Sequence, residues 1–177
     1  MLPRCPQGRL LAALFVIALV TGPLSAAAQK VPAPEEVSGF KIGADYHLAT
    51  YAQAHKYYTM LAQASPLIRV FEVGKTPLDR PMVYAVITSA ENMAKLDRYK
   101  EIARRLSLVK GVDPDEARKL AAEGRAVVYI DGGLHASECA PAQHLIQLAY
   151  DLVTGTDEET RQIRDQVITV LVFANPD

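Results

Sequence analysis

The chain has 177 residues and a formal net charge of -1, and 50% of its residues are hydrophobic while 22% are charged. This length suits one domain, and the balanced composition is ordinary for a globular protein. A net charge so close to zero gives no reason to expect nucleic acid or an anionic membrane surface as a partner.

The N-terminal 28 residues have the features of an export signal. Arg4 and Arg9 precede the apolar run Leu10–Val20, and small residues follow it. The run is too short to span a bilayer comfortably, although a membrane anchor is the alternative interpretation. We therefore predict a signal peptide over 1–28 with cleavage after Ala28, a secreted or periplasmic protein, and no membrane partner after cleavage.

The next part of the chain predicts a lead-in, a helix and a hairpin. Residues 29–45 are rich in proline and glutamate and predict an extended lead-in to a domain over 46–177. Apolar residues at helical spacing predict a helix over Thr50–Ala64. The apolar runs Ile68–Val73 and Met82–Ile87 are joined by a short polar turn, which predicts an antiparallel hairpin.

Two helices are predicted in the middle of the chain. The first covers the charge-rich segment Glu91–Leu108, whose charges are expected to form a solvated face. The second has Asp113 as its N-cap and Pro114 in its first position, and it stops at Gly124.

The C-terminal part predicts a strand, two helices and a second strand. Ala126–Ile130 is short and β-branched and predicts a buried strand, followed by a helix over Pro141–Thr154 and a short helix capped by Thr156. Val167–Phe173 is apolar enough for burial on both faces of a sheet. A right-handed crossover would make the two strands parallel, so the pattern predicts an α/β domain with a mixed sheet.

A histidine and a glutamate follow the strand Ala126–Ile130. Two glycines end the strand, and His135 and Glu138 then lie in the crossing to the next helix, where open α/β sheets bind ligands. An imidazole nitrogen and a carboxylate three residues apart can face one point and suit a zinc ion. The alternative is an ordinary loop histidine beside a solvated glutamate, since two donors do not complete a site.

The remaining histidines and the cysteine of the mature chain are interpreted as structural. His47, His55 and His144 are predicted to be surface or hydrogen-bonded side chains. Cys139 is predicted to be a small buried residue at a helix start, with a metal thiolate or a nucleophile as the alternatives.

Four motifs in order resemble the zinc carboxypeptidases, the carboxypeptidase A-like metallopeptidases, from about Tyr51 to Asp177. The motifs are Ala64-Ser65-Pro66 after a tyrosine-rich helix, Val73-Gly74-Lys75-Thr76 with Arg80-Pro81, Gly133-Leu134-His135-Ala136-Ser137-Glu138, and Phe173-Ala174-Asn175-Pro176-Asp177. The last three correspond to the family's G-K-S…G-R-P turn, its G-x-H-x-x-E motif and its N-P-D-G motif.

The resemblance implies a three-layer α/β/α fold with a mixed sheet, of which this chain would be a truncated N-terminal part. It implies that His135 and Glu138 are the first two zinc ligands of an enzyme that hydrolyses C-terminal bonds of peptide or peptide-like substrates. In the family, the third ligand and the catalytic glutamate lie further along. No catalytic residue is therefore expected in this chain, and we expect it to be inactive alone.

Two departures from the family pattern keep other functions open. A long helical insertion over 91–124 replaces a shorter connection, and Ser137 stands where peptidase members often carry arginine. A zinc-dependent deacylase or amidohydrolase of the same fold, and a non-catalytic exported binding module, therefore remain alternatives. We also expect Val167–Phe173 to leave an unpaired, aggregation-prone sheet edge.

Overall fold

A computed structural model describes residues 30–108 and 110–177 of the chain. The predicted signal peptide over 1–28 lies outside these residues and remains a prediction. Across the two described ranges, no helix combines the length and the apolar character that crossing a bilayer requires.

Four strands form one mixed sheet. They are β1 Ile68–Lys75, β2 Pro81–Ile87, β3 Ala126–Gly132 and β4 Val167–Phe173. Their spatial order is β1-β2-β4-β3. Strands β1 and β2 form the predicted antiparallel hairpin, β2 pairs antiparallel with β4, and β3 runs parallel to β4. The hairpin and the parallel crossover are thereby confirmed.

Seven helices are found in the described residues. They are α1 Glu35–Ser38, α2 Tyr51–Ala64, α3 Ala90–Ala94, α4 Leu96–Leu108, α5 Pro114–Glu123, α6 Cys139–Thr154 and α7 Glu158–Gln166. Two differ from the sequence predictions. The lead-in is not wholly extended, because α1 is a helical turn. The single helix predicted over 91–108 is interrupted at Lys95, which ends α3.

The helices lie on both faces of the sheet. On one face, α2 and α6 pack on the strands through a core that includes Tyr58, Leu145 and Leu171. On the other face, α3 to α5 pack through a second core that includes Tyr99 and Ile168. The three-layer α/β/α fold with a mixed sheet is therefore confirmed.

Helix α2 is fixed at both its start and its middle. Thr50 and Gln53 form a capping box, in which the Thr50 hydroxyl accepts from Gln53 N at 3.3 Å and Gln53 Oε1 accepts from Thr50 N at 2.9 Å. Further along, the buried Tyr58 hydroxyl donates to Leu145 O at 3.1 Å, and burial raises the pKa of Tyr58. The capping box fixes the start of α2, and the Tyr58 hydrogen bond docks the helix against α6.

Both C-terminal strands are predicted to be buried, and the structure confirms this for β4 but not for β3. Strand β4 lies between β2 and β3 and is largely buried, so the prediction that it forms an unpaired edge is wrong. Strand β3 is one of the two edges of the sheet in residues 30–108 and 110–177, and Val127, Val128 and Tyr129 are 51%, 42% and 61% exposed there, so its predicted burial is wrong. A β-branched composition indicates a strand but does not determine its neighbours.

The cap of α7 is Asp157, and the prediction of Thr156 is wrong. The Asp157 carboxylate accepts from Thr160 N at 2.8 Å and from the Thr160 hydroxyl at 2.7 Å. The Thr160 hydroxyl and then its N–H hold the pKa of Asp157 below its usual value. Because hydrogen bonding favours the ionised form, this stabilisation is present above the unfolded pKa of aspartate and is lost as pH falls through the lowered folded pKa.

We expect Asp157→Ala to lower the melting temperature at neutral pH by about 2–4 °C, as the loss of a helix cap does in a protein of this size. Thr156→Ala should leave the melting temperature nearly unchanged and serves as the control. The gap between the two variants should close in acid, and thermal unfolding followed by circular dichroism at several pH values measures it. An equal effect of both substitutions at neutral pH would contradict the assignment of the cap.

Candidate metal and substrate site

The ends of two parallel strands place two loops side by side. Because β3 and β4 run parallel, the loop Gly133–Glu138 after β3 and the segment Ala174–Asp177 after β4 leave the same end of the sheet. Ala174 N donates to Gly132 O at 3.0 Å and joins the two. A cleft of about 340 Å³ opens here, and Leu48–Tyr51 forms its opposite wall. In open α/β sheets, ligands bind at this position.

Two glycines allow the chain to turn from β3 into α6. A Cβ on Gly132 would lie 2.5 Å from Pro141 O and 2.8 Å from Pro141 C, so only glycine fits between the strand and the helix. Gly133 has φ +71°, which a side chain would disfavour. The sharp turn brings the loop back over the cleft.

His135 and Glu138 converge at the mouth of the cleft. His135 Nδ1 lies 3.1 Å from Glu138 Oε1, and the two side chains are 67% and 54% exposed. The backbone supports this, because Glu138 N donates to His135 O at 3.0 Å. Glu138 is the N-cap residue of α6, yet its carboxylate makes no capping hydrogen bond. Its oxygens are therefore directed to the histidine and the cleft.

The distance between these two donors agrees with a shared zinc ion. Two ligand atoms that are each about 2.0–2.1 Å from a tetrahedral zinc ion are about 3.3 Å apart, and the observed separation is 3.1 Å. A nitrogen and a carboxylate oxygen are also the right kinds of donor. Within residues 30–108 and 110–177, no group of three or more His, Cys, Asp or Glu side chains could hold a metal ion. The described chain thus brings two candidate donors together, and their role as zinc ligands stays a prediction.

The other candidate residues do not join the pair, and Cys139 alone among them lines the cleft. His47 and His144 are exposed, and His55 is half-buried with its ring 6.2 Å from that of Tyr51. Cys139 is the first residue of α6 and is half-buried, with its thiol 3.9 Å from Ser137 O. The surface prediction for His47 and His144 is confirmed.

Gln143 is a cleft residue that the sequence analysis did not identify. It is buried in α6, where its side chain accepts from Ala49 N at 2.8 Å and donates to Ala49 O at 3.0 Å. This double hydrogen bond holds the wall Leu48–Tyr51 against α6. A signal was present, because Gln143 is three residues before Ile146 and so shares the apolar face of the helix.

Gln143→Leu should destabilise the protein by about 1–2 kcal/mol, because it leaves the N–H and the carbonyl of Ala49 without partners in a partly buried place. Gln147→Leu is the control, since Gln147 reaches only the exposed Asp151 at 2.9 Å. Urea unfolding of both variants measures the difference. Equal free energies of unfolding would show that the double hydrogen bond does not hold the wall.

A polar network connects the β1–β2 turn with the segment after β4. Arg80 Nη1 donates to Pro176 O at 2.7 Å, and the Thr76 hydroxyl donates to Asp177 Oδ1 at 2.6 Å. Leu78 N donates to the second carboxylate oxygen of Asp177 at 3.3 Å. The network fixes one side of the cleft. Its members Thr76 and Arg80 are part of the second motif, for which the sequence analysis assigned no contact.

Tyr51 completes the wall from α2. Its hydroxyl donates to Pro81 O at 2.6 Å and accepts from Val83 N at 3.3 Å, and its ring meets that of Phe173 edge-on at 5.6 Å. Burial raises the pKa of Tyr51, while the hydrogen bond from Val83 opposes this shift. The hydroxyl is thus engaged by the backbone, and Tyr51 acts as a rigid part of the cleft.

A three-layer α/β/α domain with a His/Glu pair at the carboxyl ends of parallel strands defines the class of this protein. The family model described as zinc carboxypeptidase matches residues 54–177, well over half of the 177 residues. The chain belongs to the zinc carboxypeptidase family, which is a family of hydrolases. The resemblance inferred from the four motifs is therefore confirmed. No curated protein sequence matches this chain at a significant level.

The first of two similar solved structures supports the fold. Carboxypeptidase A from Helicoverpa armigera is 16% identical with a TM-score of 0.52, and the match covers 81% of this chain and 31% of that one. Thrombin activatable fibrinolysis inhibitor (TAFI) is 8% identical with a TM-score of 0.48, and the match covers 78% of this chain and 29% of that one. The chain therefore spans less than one third of the length of these structures.

Proposed function

We propose that this chain is the N-terminal part of the catalytic domain of a zinc metallocarboxypeptidase, in which His135 and Glu138 are two of the zinc ligands. The observation that carries the proposal is the convergence of the two side chains, 3.1 Å apart, at the mouth of the cleft. The membership of the chain in the zinc carboxypeptidase family supports it. Both donors have the chemistry that zinc requires.

The residues of this chain would bind the metal ion and position the walls of the cleft, and they would not transfer protons. His135 and Glu138 would hold the metal, while Gln143 and Tyr51 keep the cleft walls in place. A zinc ion, when bound, supplies Lewis-acid activation of water and of the scissile carbonyl. No general base is assigned among residues 30–108 and 110–177, so we propose that the chain by itself is inactive.

The proposed substrate is a peptide or peptide-like molecule. The cleft between the metal pair and the wall is lined by apolar side chains, including those of Ile146 and Phe173. Such a lining suits an apolar substrate side chain next to the polar pair. The N-terminal segment 1–28 supports an exported, secreted or periplasmic location for the protein.

The proposal is tested on the complete product of the gene that encodes this chain. We expect release of the C-terminal residue from N-blocked dipeptides that have a free terminal carboxylate, and we expect a chelator to stop the release. Amides in which an acyl group is attached to an amino-acid side chain, and not through a peptide bond, are assayed in parallel as deacylase substrates. Turnover of the acyl amides alone would replace the peptidase by a deacylase, and turnover of neither would favour a binding module.

The 177-residue chain assayed alone should bind zinc weakly and should show no hydrolysis. The reason is that catalytic zinc sites use three protein ligands, and the described chain contributes two. The same dipeptides and a sensitive amine-release assay measure this. Zinc-dependent turnover by the chain alone would contradict the expected inactivity.

A further inference from the structure

The turn between β1 and β2 is closed by several hydrogen bonds. Thr76 N donates to Arg80 O at 2.9 Å, and Asp79 N donates to Thr76 O at 2.9 Å. The Thr76 hydroxyl closes the turn again, because it accepts from Arg80 N at 3.1 Å. Asp79 has φ +62°, and its carboxylate accepts from Lys75 Nζ at 2.8 Å. The turn is therefore rigid enough to serve as a fixed point for a neighbouring segment.

This turn holds the segment that follows β4. The Thr76 hydroxyl donates to Asp177 Oδ1 at 2.6 Å, and Leu78 N donates to Asp177 Oδ2 at 3.3 Å. Arg80 Nε lies 3.7 Å from Asp177 Oδ1, and the Asp177 side chain is only 19% exposed. Arg80 Nη1 also donates to the carbonyl of the buried Pro176 at 2.7 Å. Because hydrogen bonds to a carboxylate are stronger than neutral ones, these contacts anchor the segment.

The same segment is bonded to the loop that carries His135. Ala174 N donates to Gly132 O at 3.0 Å. Asn175 Nδ2 donates to Leu134 O at the longer distance of 3.5 Å, and Leu134 directly precedes His135. The segment after β4 therefore connects the β1–β2 turn with the backbone of the candidate metal loop. Each of these contacts joins two described residues, and none depends on an exposed face or edge of the domain.

The loop needs contacts of this kind because two glycines precede it. Glycine loses more conformational freedom on folding than any other residue. Gly133 has φ +71°, and Gly132 is the last residue of β3, so the backbone leading into the loop is intrinsically flexible. Contacts from outside the loop must therefore select one conformation. The hydrogen bonds to the carbonyls of Gly132 and Leu134 are contacts of this type.

We propose that the β1–β2 turn is a positioning element for the metal site, in which Thr76 and Arg80 act on His135 through the segment after β4. This role rests on the proposed function, because it needs His135 to be a metal ligand. Without the turn contacts, the segment and the loop would sample other conformations. Ordering the loop would then cost conformational entropy whenever zinc binds, which lowers the affinity. Groups that fix the orientation of metal ligands have this effect on metal affinity.

The first test measures the zinc affinity of the complete gene product by competition with a chromophoric chelator. Thr76→Val keeps the shape of the side chain but removes the hydroxyl, and it should lower the affinity about tenfold, the low end of the range for residues that orient a metal ligand. Thr76→Ser retains the hydroxyl and should retain the original affinity. Lys75→Met is the matched control, since Lys75 begins the same turn but pairs with the exposed Asp79, and it should leave the affinity unchanged.

The second test separates positioning from a purely structural role. Thr76 is buried, so Thr76→Val is also expected to lower the free energy of unfolding in urea. A purely structural role would lower this free energy and leave the zinc affinity of the folded protein unchanged. Arg80→Met is a second variant at a half-exposed side chain, and it should weaken zinc binding as well. Cobalt(II) in place of zinc has a visible absorption band that depends on ligand geometry, and the band should shift in Thr76→Val but not in Lys75→Met.

Three results would overturn the proposal, and they can be told apart. If His135→Ala abolishes zinc binding while Thr76→Val and Arg80→Met bind zinc as tightly as the original protein, the turn does not position the site and the proposed function stands. If Lys75→Met weakens binding as much as Thr76→Val, the effect belongs to the turn in general and not to its contacts with the segment. If His135→Ala leaves zinc binding unchanged, the proposed function fails and the positioning role fails with it.

Discussion

Gly132→Ala should destabilise the protein by about 3 kcal/mol or more, at the upper end of the range for overpacking. The added Cβ would lie 2.5 Å from Pro141 O and 3.1 Å from Leu145 Cδ1. The first contact is with backbone, so a change of rotamer cannot relieve it, and the strand and α6 must move apart. The free energy of unfolding from urea titrations measures the loss.

The same substitution should also disturb the metal pair. Gly132 lies three residues before His135, and Ala174 N donates to its carbonyl, so a shift of β3 would move both loops of the cleft. Gly43→Ala is the control, because Gly43 has φ +83° and no atom lies within 4 Å of its added Cβ. The control should cost only about 1–2 kcal/mol from the left-handed backbone. An equal loss of unfolding free energy in the two variants would show that the close packing of α6 on the end of β3 does not limit the residue at position 132.

Loss of a residue that only orients a metal ligand lowers metal affinity about 10–100-fold. Removal of His135 or Glu138, the two proposed ligands, should lower the zinc affinity by more than that. We therefore expect His135→Ala and Glu138→Ala each to weaken binding at least about 100-fold in the complete gene product. The reason is that each residue would contribute a direct bond to the metal. Competition with a chromophoric chelator measures the affinity, and it needs no assay of activity.

His144→Ala is the matched control for this prediction. His144 is on α6, six residues after Glu138, and is exposed on the helix. Its removal should leave the zinc affinity unchanged. If His135→Ala and His144→Ala reduced zinc binding equally, the metal would be bound adventitiously by surface histidines, and the proposed ligands would be wrong.

The extent to which the sequence predicted this structure depends on the range of the interactions involved. Helix α2 and strand β2 were predicted to within one residue, because a capping box and a run of β-branched residues act locally. The interruption at Lys95 and the cap at Asp157 were missed. In α7, adjacent polar residues offered two possible caps, and the position of Thr160 against Asp157 decided between them.

The candidate site was predictable in part, because some of its contacts are between residues close in sequence. His135 and Glu138 are close in sequence, and the two glycines before them indicate a sharp turn, so their proximity could be expected from spacing. The cleft wall could not be expected, because Gln143 and Ala49 are 94 residues apart and meet only when α6 packs beside α2. The contact of Arg80 with Pro176, 96 residues away, depends on the sheet in the same way.

By itself, the sequence determined the family, the mixed α/β pattern and the pair of candidate zinc ligands, since each depends on residues that lie within one motif or one element. The tertiary structure alone decided which strand is the edge. Strands β3 and β4 have similar composition. They differ in their neighbours, because β4 also pairs with β2, which belongs to the N-terminal hairpin. Pairing across a sheet depends on residues far apart in the sequence, so the pattern of either strand does not predict its neighbours.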